Sequence, residues 1–200
     1  MLTEDDIRGL NEGDRLRISP GTKFTPLASD LIRERRIELI TKEPRAAKIL
    51  VRSVALGADH GGFEYKEKIK EHLSGHGLSI RDFGTHSKEP VDYPDHAGAV
   101  AECVSRGRAD AGIIVDGAGI GSAMTANKYP GVRAAACYTP ALARNSREHN
   151  GANVLTLGSG QNSLTEVLSI VDTFLSSELT EDRHKRRVAK IEDIDRQYRR

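Results

Sequence analysis

Ala111-Gly112-Ile113-Ile114-Val115-Asp116-Gly117-Ala118-Gly119-Ile120-Gly121-Ser122 carries an apolar, β-branched run straight into a glycine loop, and a helical pattern over 122–128 follows. A short continuous apolar run bounded by glycines predicts a strand buried on both faces, as in a parallel sheet covered by helices. The alternation repeats outward in both directions. Upstream, 49–56 reads as a strand, 63–73 as a helix, 79–83 as a strand and 96–104 as a helix. Downstream come strand 132–137, helix 140–148, strand 153–157, helix 163–175 and a C-terminal helix that begins near Arg183. Five strands alternating with helices predict an α/β fold, a doubly wound, Rossmann-like, five-stranded parallel sheet. In such sheets ligands bind beyond the carboxyl ends of the strands, so the loops after the strands are the ones to read for chemistry.

Residues 1–47 have a different texture and are expected to form a small N-terminal extension, a docking module, ahead of the main domain at 48–200. Thr3-Glu4-Asp5-Asp6 can cap a short helix bearing Ile7 and Leu10, and Thr25-Pro26 can open a second with Leu27, Leu31 and Ile32 at helical spacing. Residues 14–18 and 36–39 alternate polar and apolar, which predicts short half-buried strands, and Thr41-Lys42-Glu43-Pro44-Arg45 reads as a linker. A module this small buries little on its own and is expected to pack on the main domain or on a partner.

The 200 residues include 30 Lys+Arg and 29 Asp+Glu, so no global field argues for nucleic acid or an anionic membrane. Any anion site must be local. No apolar run approaches the length of a membrane span, the N-terminus lacks a secretory pattern, and Cys103 and Cys137 are not in a metal-type CxxC spacing. A reduced, cytoplasmic protein without structural zinc is the expectation.

Gly57-Ala58-Asp59-His60-Gly61-Gly62 places an acid and an imidazole at a strand end, either as a helix cap with turn glycines or as a polar pair at the ligand crevice. In the loop after the third main-domain strand, Gly117, Gly119 and Gly121 let backbone N–H groups approach an anion. Its GxGxG pattern, without a ribose-binding acid at the usual offset, disfavours a dinucleotide. Arg183 and Arg187 stand at i and i+4, so their guanidinium groups can converge on one phosphate; the plainer reading is a solvated basic face.

Taken with Asp92-Tyr93-Pro94-Asp95, Ala126-Asn127-Lys128, Gly131-Val132-Arg133-Ala134 and the run Arg147-Glu148-His149-Asn150-Gly151-Ala152-Asn153-Val154-Leu155, these motifs follow the order seen in type B ribose-5-phosphate isomerases. The chain resembles that family, and the related galactose-6-phosphate isomerase subunits, over about residues 49–191. The resemblance implies an aldose–ketose isomerase that interconverts ribose 5-phosphate and ribulose 5-phosphate without metal or cofactor, as a homodimer or tetramer whose active sites are shared between subunits. It implies that His149 opens the furanose ring with help from Asp59, and that His60, Arg133, Arg183 and Arg187 hold the phosphate. By the same resemblance Tyr93 and Asn150 line the sugar, and the N–H groups of Gly117, Gly119 and Gly121 hold the enediolate oxygens. Residues 1–47 are similar to short extensions on bacterial microcompartment proteins, through Leu2-Thr3-Glu4, Pro20-Gly21-Thr22 and Thr25-Pro26. That similarity implies docking to a shell or to core enzymes inside such a compartment.

The chain departs from its family where the chemistry is hardest. The family loop reads Cys-Gly-Thr-Gly-Ile-Gly with the cysteine as C2 base, or carries a glutamate a few residues later. Here Asp116 stands for the cysteine, Ala118 for the threonine and Ser122 for the glutamate. Asp116 is the only ionisable replacement in the loop, and its two readings are the C2 base or a cap on the following helix. Three functions remain open: an isomerase using Asp116, an enzyme for another phosphosugar, and a non-catalytic phosphosugar-binding protein.

Overall fold

The computed structural model describes residues 1–18, 21–41 and 48–199. Pro20 and residues 42–45 of the expected linker lie outside the described residues. The chain divides into two compact units, Met1–Ala47 and Lys48–Arg200.

The first unit contains helix α1 (Glu4–Ile7), strand β1 (Arg15–Ile18), helix α2 (Pro26–Glu34) and strand β2 (Glu38–Thr41). Local chemistry starts both helices as expected: Asp6 Oδ2 accepts the Thr3 N–H at 2.8 Å, and Thr25 Oγ1 accepts the Ala28 N–H at 3.2 Å. The strands pair in parallel with α2 as the crossover. Buried Ile7, Ala28 and Ile37 pack with Leu10, Leu16, Phe24, Leu31 and Ile32 into a core belonging to this unit. The second strand begins at Glu38 rather than at residue 36, because Arg36 turns the chain with φ +49° and Ile37 is buried in the core before the ladder starts.

The second unit is a three-layer sandwich. Strands β3 (Ser53–Ala58), β4 (Ser79–Asp82), β5 (Ala111–Asp116), β6 (Ala134–Ala136) and β7 (Val154–Gly158) form one sheet in the order β4-β3-β5-β7-β6, with every pair parallel. Helices α3 (Phe63–Ser74), α6 (Pro140–Asn150) and α7 (Leu164–Leu175) put Ile69, Leu73, Ala143, Val167, Ile170, Val171 and Phe174 into the core on one face. Helices α4 (Tyr93–Ser105) and α5 (Ile120–Ala126) cover the other face through Ala97, Val100, Ala101, Val104 and Ala126. The period-two rule sorts the strands: Val54, Leu56, Ile113 and Val115 join the first core, while Ala55 and Ile114 join the second. A final helix α8 (Asp182–Tyr198) contributes buried His184 and Val188.

Two boundaries shift for identifiable reasons. Strand β3 starts at Ser53 and not at residue 49, because the Asp110 carboxylate takes the N–H groups of Arg52 and Ser53, each at 2.9 Å, while Ile49 and Val51 pack on the core outside the ladder. Helix α4 starts three residues early, after an extended Asp92 and with Pro94 in its first turn. Strand order reverses between β3 and β5, so the loops leaving those two strands flank the crevice where doubly wound sheets bind ligands.

Candidate active site

At the carboxyl edge of the sheet, Asp59 and His60 leave β3, and residues 117–122 leave β5. Asp59 is half-buried and its Oδ1 accepts the Gly62 N–H at 2.9 Å, which closes the turn into α3. His60 is exposed, with Nδ1 3.2 Å from both the N–H and the carbonyl oxygen of Val91. Tyr93, at the start of α4, lies against the glycine loop so closely that a Cβ on Gly121 would fall 2.6 Å from the ring. Gly119 sits at φ +79° with the Leu157 backbone 3.0 Å from where a Cβ would be, so the loop needs glycine there for both conformation and space. Loops are laced together by the Tyr138 hydroxyl donating to Ala118 O at 2.9 Å and the Ser159 hydroxyl donating to Gly61 O at 2.9 Å.

Asp116 is the centre of this edge and is only 5% exposed. Its Oδ1 accepts the N–H groups of Ala118, at 2.7 Å, and Gly119; its Oδ2 accepts the Ser122 N–H at 3.2 Å and the Ser122 hydroxyl. Four donors fill the acceptor capacity of one carboxylate. Of the three glycine N–H groups expected to hold an enediolate, that of Gly119 is turned onto the protein's own carboxylate.

A second cluster occupies the opposite, amino edge, because α6 runs back across the sheet and ends just before β7. His149 lies in the last turn of α6, with Nδ1 2.9 Å from Asn145 Nδ2; the amide donates, which leaves the proton on Nε2. Its ring stacks on His184 of α8, centroids 4.2 Å apart and planes 15° apart. His184 is 4% exposed and neither ring nitrogen has a hydrogen-bond partner. Burial, then the electrostatic influence of the neighbouring His149, Arg183 and Arg187, push its pKa below the ordinary histidine value. Arg183 and Arg187 are exposed on the same helix, and among the described residues neither guanidinium has a partner. An open concavity of about 540 Å³ is lined here by Glu148, His149, Glu181, Arg183 and His184. Arg133, at the start of β6, is instead committed within the chain: Nε donates to Gly151 O at 2.8 Å, and Nη1 pairs with Glu192. Asn150 is exposed at the end of α6, beside a concavity it shares with Arg133.

The twelve residues singled out from the sequence therefore fall into two groups. Asp59, His60, Tyr93, Asp116, Gly117, Gly119 and Gly121 lie at one edge; Arg133, His149, Asn150, Arg183 and Arg187 lie at the other. Pairing of Gly112 with Val154 and of Asp116 with Gly158 sets the edges one strand length apart. At about 3.3 Å per residue that is on the order of 13 Å before side chains are added, longer than a five-carbon sugar phosphate. His184 belongs to the second group but received no role from the sequence, although it lay inside the Arg183–Arg187 motif; a histidine at i+1 from an arginine carries no signal of burial until the helix is packed.

A doubly wound sheet with a glycine loop at its strand-order reversal and a separate imidazole–guanidinium cluster defines an α/β protein of the kind that binds small molecules at the sheet edge. The chain belongs to the Ribose/Galactose Isomerase family, whose sequence profile matches residues 54–191. It is 41% identical over 145 residues to ribose-5-phosphate isomerase B of Escherichia coli, covering 72% of this chain and 97% of that protein. Among solved structures, ribose-5-phosphate isomerase B of Clostridium thermocellum superposes with a TM-score of 0.71 at 46% identity, over 73% of this chain and 99% of that one. The Mycoplasma genitalium enzyme, solved with bound ribulose-5-phosphate, gives 0.70 at 36% identity, over 72% and 96%. The family match begins at Val54 and leaves the first unit outside it.

Proposed function

We propose that this chain interconverts an aldose phosphate and its ketose, the pair being ribose 5-phosphate, for which relatives are named, and ribulose 5-phosphate, bound in one solved relative. The observation that carries the reading is the family match together with the division of the polar groups between two edges of one sheet. Neither edge alone holds both a ring-opening imidazole and the glycine loop. Two copies facing each other in opposite directions bring the carboxyl edge of one to the amino edge of the other, a two-fold arrangement that makes both sites alike. In that shared site Arg183 and Arg187 hold the phosphate by charge-assisted hydrogen bonds, and His149, held by Asn145, passes a proton to the ring oxygen as Asp59 helps take one from the anomeric hydroxyl. The open chain then gives its C2 proton to Asp116, the enediolate forms as the 2-hydroxyl proton passes to the former carbonyl oxygen, and the protonated Asp116 returns a proton at C1 to leave the ketose.

The experiment is complementation. Asp59→Asn and His149→Ala are each expected to abolish ketose formation from ribose 5-phosphate. Refolded together, random dimers should recover roughly a quarter of wild-type activity, because each mixed dimer holds one intact site. No recovery on mixing would rule out the shared site.

One observation favours a second reading, that the chain opens the ring of a phosphosugar without moving its C2 proton. Asp116, the ionisable side chain in the position of the family's base, already accepts four hydrogen bonds, so it must release one before it can take a proton from carbon. Ketose formation from ribose 5-phosphate, followed in deuterated solvent, separates the readings. Isomerisation breaks that C–H bond and yields the ketose, with or without exchange, whereas ring opening leaves the bond intact and gives no ketose.

A further inference from the structure

The face of the second unit that carries α3 and α7 bears a cluster that the reaction does not use. His72 lies in the last turn of α3, and His76 follows four residues later in a turn held by its own N–H bonding to Leu73 O at 3.0 Å. The spacing puts both imidazoles on one side of the chain, with ring centroids 5.2 Å apart and planes at 61°. Asp172, in the last turn of α7, reaches across so that its Oδ1 is 2.7 Å from His72 Nε2. One ligand atom from each of the three lies within 4.8 Å of the other two.

We propose that His72, His76 and Asp172 bind a divalent transition-metal ion of the zinc type, which fastens the end of α3 to α7. Zinc–nitrogen and zinc–oxygen bonds of about 2.0–2.2 Å in a tetrahedron put neighbouring donor atoms roughly 3.4 Å apart. His72 and Asp172 are already closer than that, and the exposed His76 ring, which no hydrogen bond holds among the described residues, closes the remainder by side-chain rotation. Two imidazoles and one carboxylate select zinc, cobalt, nickel or copper over magnesium and calcium, which prefer all-oxygen sites. Three protein ligands leave one position to water. Because the donors come from the end of α3 with its following turn and from α7, segments brought together only by folding, the ion binds the native state and stabilises it.

The test uses the full chain, stripped of metal and titrated by calorimetry with zinc and then with cobalt. One equivalent per chain, cobalt absorption bands of tetrahedral type, and a rise in melting temperature with zinc but not with magnesium are expected. His76→Ala should weaken binding by about tenfold or more while leaving the metal-free melting temperature unchanged, since that side chain is exposed. Asp172→Asn should weaken binding likewise. Binding that survives both substitutions places the ion elsewhere, for instance at the His149–His184 pair, and overturns the proposal. So does the absence of heat or thermal shift with zinc in large excess.

Discussion

Asp116 shows how far a residue's identity and its surroundings can pull apart. The sequence reading offers it as the C2 base or as a helix cap; in the fold it is 5% exposed and bound by Ala118, Gly119 and Ser122. Replacing it with asparagine turns one acceptor oxygen into an amide that faces N–H donors, leaving buried donors unpaired. Asp116→Asn is expected to cost about 1–3 kcal/mol of stability in urea denaturation, and to lose activity with it. If stability holds while C2 exchange falls by a factor of ~10² to 10⁴, Asp116 is the base and releases a donor in the working complex. Gly119 was legible as a loop glycine, but the reason it must be glycine, its positive φ under the Leu157 backbone, is tertiary.

Helix α6 and helix α8 meet through the His149–His184 stack, which holds the buried His184 ring in place. His184 has its pKa lowered below 6.5, chiefly by burial. The unfolded chain then binds this proton more readily than the folded one. Its neutral form contributes stability that is fully present above 6.5 and is lost as pH falls from 6.5 toward the lower folded value. Thermal melts across that window should show the wild type losing stability more steeply than His184→Phe, which keeps the stack and removes the titration. Parallel slopes for the two proteins would mean that the stack does not couple to pH. Helix periodicity places His184 one residue from Arg183, but only the packing of α8 on α6 buries it.

The whole molecule is two units with separate cores, one around Ile7, Ala28 and Ile37 and one around the five-stranded sheet. A chain beginning at Lys48 is therefore expected to keep a cooperative thermal transition. A truncated protein that aggregates or melts without cooperativity would show that the first unit completes the larger fold. Docking to a shell or to core enzymes of a microcompartment remains a proposal for this unit, tested by whether the truncated chain loses a partner that the full chain retains. At this scale the division between sequence and structure is sharpest. The number of strands, their parallel pairing, the two-unit organisation and the glycine loop follow from local patterns, because apolar period and turn chemistry act over a few residues. The His72–His76 spacing was present too, yet its third member, Asp172, lies 100 residues from His72. Which polar groups share an edge, which donors Asp116 consumes and how the candidate site residues come to be split between two edges were decided by strand order and helix direction, since those alone determine which distant residues become neighbours.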